Sequence, residues 1–545
     1  MHVPSIKPII RSGRLQYIEV AGGARIISEA QYDYNGRSRL PPTPLALDLY
    51  RQKYPEGHTT PYLQQWQLGQ YLLRKKLNQL RGDTRDIHGV PGLWDWQKSA
   101  IRFILDRKRV LLADQMGTGK TVTALGAVTW WICQEVRRIP HVLILCPRHK
   151  IVDWEEAVDK WVKPDPFFPV IAPRSSNERK IATTLFKDGF FITNWEGIWA
   201  SPELQKFNWD WVICDEAHRA KSRKSKRTRA LMKLRTEYML LLTGTPVERA
   251  AHDLWAQLKI LDPDGFPSYW AWVYEFCELG GHPQYPKPIR TRNLPLLWDM
   301  LQPYYLRRTR AECFGLDDPT VEIVRVPLES VHMAYYNKVK TEALQLFDID
   351  SATGGGLFVK LAQCATHPTI AMETDLDIDT GKLAYAADTC ASAIEQGERP
   401  VVFCTFRRTV DHIVDLLMRR CLKVAWFMGG VSTEDIHEAI QSFKRGDADV
   451  LVSTTASGSE GTDLPEATLM IFVEIPWSSL TYKQARDRMM RPRADVPHVM
   501  LLVAKSTVDE RIAAVVAAKN ANASRTVVSS TILADLLEEA RARKS

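Results

Sequence analysis

The run Ala113-Asp114-Gln115-Met116-Gly117-Thr118-Gly119-Lys120-Thr121 constrains this chain more than any other stretch. It follows the apolar triplet Val110-Leu111-Leu112 and opens a helix-like segment from Thr121 to Gln134. A glycine-rich turn between a buried strand and a helix is a phosphate cradle. Glycines at 117 and 119 let successive N–H groups and the helix N-terminus point at one anion. Lys120 then adds charge to the outer phosphates, and Thr121 offers a hydroxyl to Mg²⁺. Met116, Gly117, Thr118, Gly119, Lys120 and Thr121 are the candidate contacts to a nucleoside triphosphate. The usual G-x-x-x-x-G-K-[ST] spacing places glycine at 114, where this chain has Asp114.

A chain of 545 residues is too long for one core, so several domains are expected. Two series of short apolar runs alternate with amphipathic stretches. The first is Val110–Ala113, Val142–Cys146, Phe190–Thr193, Trp211–Cys214 and Met239–Leu242; the second is Val401–Cys404, Val424–Phe427, Val450–Ser453, Leu469–Val473 and Val499–Val503. Runs this continuously apolar suit strands buried on both faces of a parallel sheet. The expected fold class is therefore α/β, with two tandem parallel-sheet lobes over 86–250 and 326–525. A helical insertion over 251–325, an N-terminal extension over 1–85 with no legible fold and a helical tail over 526–545 complete the expected order. The run Ser351-Ala-Thr-Gly-Gly-Gly356 reads as a flexible loop, and the acidic stretch Glu373 to Asp379 as solvated surface.

No apolar run reaches the 18 residues needed to span a bilayer, and the N-terminus lacks a signal-peptide core, so no membrane is expected and the cytosol is the expected compartment. The nine cysteines are scattered without a C-x-x-C pair and read as small buried hydrophobes. The net charge of +8 is compatible with a polyanionic partner.

Directly after Trp211-Val212-Ile213-Cys214 comes Asp215-Glu216-Ala217-His218. A carboxylate at a strand end beside a phosphate loop holds Mg²⁺, mostly through water, and its neighbour can deprotonate the attacking water. Asp215 is the candidate metal residue and Glu216 the candidate base.

These motifs, followed by Leu242-Thr243-Gly244-Thr245-Pro246 and Gln484-Ala485-x-x-Arg488-x-x-Arg491, resemble the superfamily 2 helicase core, and specifically its SNF2-like branch. Cys146-Pro147 with Trp154-Glu155-Glu156, His218 to Ser222, Leu306-Arg307-Arg308-Thr309, Gln363-Cys364 with His367-Pro368, and Gly381-Lys382-Leu383 carry the finer likeness. The resemblance covers roughly residues 90 to 525. It implies RecA-like lobes, ATP and Mg²⁺ as cofactors, and DNA, duplex or branched, held mainly through phosphates. Within it, Leu93-Trp94-Asp95-Trp96-Gln97 resembles the Q-motif, giving Gln97 the adenine edge. Thr243 and Thr245 would link the ATP site to the nucleic-acid groove. Ser457 to Leu464 resembles motif V, with Gly461 close to a phosphate. Arg491, with Arg488 three residues earlier, is the candidate arginine finger; the continuation Pro492-Arg493-Ala494 departs from the family's R-x-G-Q.

The implied activity is an ATP-dependent DNA motor, a DNA-dependent ATPase of replication, repair or recombination in a bacterial or phage-infected cell, associated with the nucleoid. A strand-separating helicase and the motor subunit of a restriction or defence complex remain alternatives. Two segments stay outside this scheme. Arg219 to Arg229 holds seven Lys or Arg among eleven residues and reads as a solvated face or a phosphate contact. Tyr269, Trp270, Trp272, Tyr274 and Phe276 could stack on bases, but helical spacing and the lack of adjacent basic residues favour core packing.

Overall fold

The computed structural model describes residues 6–11, 14–20, 32–34, 37–136, 138–162, 168–247, 250–280, 286–315, 321–349, 354–371, 379, 381–458, 464, 466–476, 481–482, 485–486, 498–510 and 512–513. The chain divides into two compact units, Met1–Thr309 and Arg310–Ala521. Among the described residues no helix is long and apolar enough to cross a membrane.

The first unit begins with four antiparallel strands, β1 (Ile6–Arg11), β2 (Arg14–Val20), β3 (Tyr32–Tyr34) and β4 (Arg37–Leu40), ordered β1-β2-β4-β3. Helices α1 (Pro44–Lys53) and α2 (Pro61–Gly82) follow, each with a threonine N-cap and proline in its first turn. Then α3 (Asp95–Arg107) leads into the main sheet: β5 (Arg109–Leu112), β6 (His141–Cys146), β7 (Val170–Ile171), β8 (Gly189–Asn194), β9 (Asn208–Cys214) and β10 (Arg235–Leu242). A hairpin, β11 (Cys277–Gly280) with β12 (Lys287–Thr291), and the short β13 (Tyr305–Leu306) close the unit. The main sheet runs β13-β5-β10-β9-β6-β8-β7, and every pairing is parallel.

Alternation explains why the buried stretches of these strands are continuously apolar. Val110, Leu112, Ile144, Ile213 and Leu240 enter one core, while Leu111, Leu143, Leu145, Val212 and Leu241 enter the core on the other face. Both faces are covered, which disfavours polar side chains at these positions. Residues 1–85 had no legible fold in the sequence. In the structure Ile18, Val20, Leu40, Leu47 and Tyr50 join the same core as Leu254, Trp272 and Phe276, and Arg14 pairs with Asp262.

The second unit holds β14 (Val321–Val326), β15 (Pro400–Cys404), β16 (Val424–Phe427), β17 (Val450–Thr454), β18 (Leu469–Phe472) and β19 (His498–Ala504). Their order is β14-β19-β18-β15-β17-β16, again wholly parallel, with a core on each face. Each unit is thus an α/β parallel-sheet lobe, as the sequence implied.

One expectation is corrected. Gly354, Gly355 and Gly356 are the first residues of the helix Gly354–Thr366 rather than a loop; 351–353 lie outside the described residues. The apolar run that follows them, with Ala362, Cys364 and Ala365 buried, recruits the glycines into its first turn despite their entropic cost. Of the acidic stretch, 373–378 lie outside the described residues, and Asp379 is exposed and accepts from Arg420 Nη2 at 3.0 Å. Six of the nine cysteines are buried, and burial pushes the Cys364 and Cys390 thiols up to about 12, which fits inert core residues.

Candidate nucleotide site

The phosphate loop leaves the C-terminal end of β5 and enters α4 (Lys120–Trp131). Gly117 and Gly119 take φ of 84° and 79°, a left-handed backbone that glycine adopts without strain. At Gly119 a Cβ would also come within 2.4 Å of Gln97 Nε2, so the Gln97 amide would have to move. Lys120 Nζ donates to the carbonyls of Asp114 at 2.8 Å and Gln115 at 3.1 Å. Burial of this ammonium lowers its pKa, and the charges of Glu216, Asp114 and Asp215 oppose that effect. Thr118 is buried with its hydroxyl on Gln115 O, and Met116 packs against Gly244. Thr121 stands beside Lys120 in the first turn of α4, half-buried.

Asp114, where the common pattern has glycine, is 2% exposed and forms a forked pair with Arg308: Nε to Oδ1 at 3.2 Å and Nη2 to Oδ2 at 2.6 Å. Arg308 Nη1 also donates to Trp96 O, and Arg307 Nη1 donates to the carbonyls of Ala113 at 3.2 Å and Gly244 at 3.4 Å. The backbone agrees, with Ala113 N donating to Leu306 O and Gln115 N to Arg308 O. Residues 306–308 therefore clamp the loop, which the departure at 114 hinted at without naming the partner.

Asp215 and Glu216 follow β9 at the same end of the sheet, 7% and 8% exposed. Asp215 Oδ2 accepts from Trp154 Nε1 at 3.1 Å and lies 4.0 Å from Lys150 Nζ, while Trp195 Nε1 donates to its carbonyl. Trp154 and Lys150, from α5 (Ile151–Trp161) and the turn before it, hold the carboxylate in place; only its contact with Asp215 gives Trp154 a role. Glu216 sits at φ 52°, a left-handed conformation rare for a residue with a side chain and concentrated at functional sites. His218 Nδ1 is 3.3 Å from Glu216 Oε2 and 3.4 Å from Thr243 Oγ1, and Thr243 Oγ1 accepts from Thr245 N. A continuous polar path thus runs from Glu216 to the turn after β10.

Gln97 is buried, with Oε1 accepting from Trp94 N at 3.0 Å and Nε2 donating to Gly119 O at 3.3 Å. Its amide joins α3 to the phosphate loop. Trp96 Nε1 donates to Thr118 O, and Trp94, 40% exposed, stacks on Trp96 at 4.9 Å and 25°.

In the second unit, Gly461, Arg488 and Arg491 lie outside the described residues. Just before them Thr454 Oγ1 donates to Ser457 Oγ at 3.0 Å. The sheet below is pinned by a buried ion pair, Lys382 Nζ to Asp509 Oδ2 at 2.5 Å. Glu474, accepting from Thr405 N and Thr409 Oγ1, is buried, and burial raises its pKa. Among the described residues no cluster of His, Cys, Asp and Glu could hold a metal by itself. Two buried carboxylates beside a lysine and a threonine suit a hydrated divalent ion that shares its ligands with a polyphosphate.

Comparison with known proteins identifies the family. The SNF2-related domain family matches residues 96–370, and the helicase conserved C-terminal domain matches 382–493. The human SWI/SNF-related matrix-associated actin-dependent regulator of chromatin subfamily A member 1 is 27% identical over 432 residues, covering 74% of this chain and 40% of that protein. An uncharacterized ATP-dependent helicase of Mycoplasma pneumoniae is 25% identical, covering 81% of this chain and 42% of its own length. The chain therefore spans about two fifths of the length of these relatives. Among solved structures, a Sulfolobus solfataricus SWI2/SNF2 ATPase core in complex with dsDNA matches 82% of this chain and 98% of its own at 21% identity, with a TM-score of 0.39. Because the first family match alone spans half of its residues, the chain belongs to the SNF2-related family.

Proposed function

We propose that the chain is an ATP-dependent DNA motor, a DNA-dependent ATPase that turns hydrolysis into movement along duplex DNA. The observation that carries this is the convergence, at one end of the first sheet, of Lys120, Thr121, Asp215 and Glu216, with a run of seven cations beginning three residues after Glu216. Mg²⁺ at the Thr121 hydroxyl and Asp215, mostly through water, would neutralise phosphate charge. Lys120 binds the outer phosphates, exchanging its present carbonyl partners for them. Glu216, oriented by His218, takes a proton from the attacking water. Trp94 offers a flat face for the adenine at the lip of the loop, and Gln97 its edge. Arg491 and Arg488 serve as fingers from the second lobe, and Gly461 lets that lobe's backbone approach a phosphate.

DNA would be gripped mainly by phosphates, so sequence preference should be weak and salt dependence steep. Such a substrate places the protein with the nucleoid. Steady-state ATP hydrolysis with no nucleic acid, RNA, single-stranded DNA and duplex DNA tests the reading. Duplex DNA is expected to stimulate at least as strongly as single strands. Stimulation by RNA alone would reject it.

A further inference from the structure

Helical spacing and the lack of adjacent basic residues point to core packing for the aromatic helix Tyr269–Phe276. The structure divides it. Trp272 and Phe276 are buried, with Trp272 Nε1 donating to Ala251 O at 2.9 Å. Trp270 and Tyr274, one helical turn apart, are 41% and 37% exposed, with ring centroids 6.0 Å apart. A cation arrives from the basic run: the Arg223 guanidinium lies 4.5 Å from the Tyr269 ring, and Tyr269 in turn meets Trp270 at 5.4 Å.

The basic side of this surface is rigidly mounted. Ser225 caps the helix Lys226–Leu231, Thr228 Oγ1 donates to Ala220 O at 3.0 Å, and Leu231 is buried. Arg223, Lys224, Lys226 and Arg229 are left exposed, and no acidic residue interrupts the run from Arg219 to Arg229. Duplex DNA hides its base faces, so exposed rings add little to binding it. Unpaired bases stack on such rings while cations take the phosphates.

We propose that this surface is a single-stranded DNA site, in which Trp270 and Tyr274 stack on unpaired bases and the exposed cations Arg223, Lys224, Lys226 and Arg229 hold the adjoining phosphates. The site rests on the DNA-motor reading and refines it, because it would favour forked or gapped DNA over blunt duplex.

Fluorescence anisotropy with labelled single strands, forks carrying single-stranded arms, and blunt duplex tests it. For Trp270→Ala/Tyr274→Ala, single-strand and fork affinities should fall roughly 30-fold or more, each lost base stack being worth about 5- to 150-fold. Blunt-duplex affinity and duplex-stimulated hydrolysis should stay within about twofold of the parent. Trp270→Phe, which keeps a ring, should recover most of the loss. Both side chains are exposed, so folding should survive, and an unchanged thermal transition checks that. Unchanged single-strand and fork binding in the double variant, or an equal loss on blunt duplex, overturns the proposal. Absence of any DNA binding by the parent chain would instead reject the motor reading. If the patch serves a protein partner, the variant binds every DNA like the parent, which also overturns the proposal.

Discussion

At the scale of single residues, the site is built from side chains whose partners lie far away in sequence. Asp114 and Arg308 are 194 positions apart, and each nearly buries the other's charge. The sequence exposed Asp114 only as a departure from pattern; nothing local could name Arg308. Removing one member of such a pair strands the other charge, at a cost of about 3–5 kcal/mol for a buried pair. Asp114→Ala should therefore lower thermal stability and raise the KM for ATP several-fold, and Asp114→Asn, whose amide oxygen can keep one of the two hydrogen bonds from Arg308, should recover part of both. Unchanged KM in Asp114→Ala would deny the clamp a role in positioning the loop. Lys120 and Glu216 should separate binding from chemistry. Lys120→Ala should weaken nucleotide affinity as well as turnover, while Glu216→Gln should bind ATP with near-parent affinity and lose turnover by roughly 10²–10⁴-fold, the scale of general-base catalysis. Equilibrium nucleotide titration beside single-turnover hydrolysis reads both. Normal hydrolysis in Glu216→Gln would remove it as the base.

At the scale of elements, the buried strands were legible and the edges were not. β6, β9, β15 and β17 each carry a continuous apolar run, Val142–Cys146, Trp211–Cys214, Val401–Cys404 and Val450–Val452, because both faces are covered, so composition alone marks them. β14 reads Val-Glu-Ile-Val-Arg-Val and lies at the sheet edge with Val321 and Ile323 exposed, so its alternation carried no core signal. In β2, Gln16 and Glu19 are buried among apolar residues, held by Asp264 O and Lys7, which broke the pattern that would have announced a strand. The aromatic helix shows the same limit from the other side, since Arg223, the cation on its Tyr269 ring, comes from a segment more than forty residues earlier. In the second unit, Lys382 and Asp509 join the helix Gly381–Glu395 to the helical segment 508–510 that follows β19. Lys382→Met should destabilise that unit by about 3–5 kcal/mol, as expected when one buried charge loses its partner. Chemical denaturation of this variant against the parent measures it; a loss below about 1 kcal/mol would mean that the pair is not a structural pin.

At the scale of the whole molecule, each unit carries a sheet of the kind that presents loops at its strand ends, and the first has an added antiparallel sheet sharing its core. Ile18, Val20, Leu40, Leu47 and Tyr50 are all within 1% of full burial, so the N-terminal region is part of the first unit's core rather than an appendage. Deleting residues 1–60 should expose that core and lower the first unit's unfolding temperature, leaving the second unit's transition in place; differential scanning calorimetry reports both. The motor reading needs more than hydrolysis, because it claims that chemistry at Lys120 and Glu216 becomes movement on duplex DNA. The most direct test is displacement of a triplex-forming third strand from an intact duplex, followed with ATP, without ATP, and with Glu216→Gln in place of the parent. The account predicts displacement only by the parent chain with ATP, and duplex-stimulated hydrolysis without displacement of the third strand would contradict it.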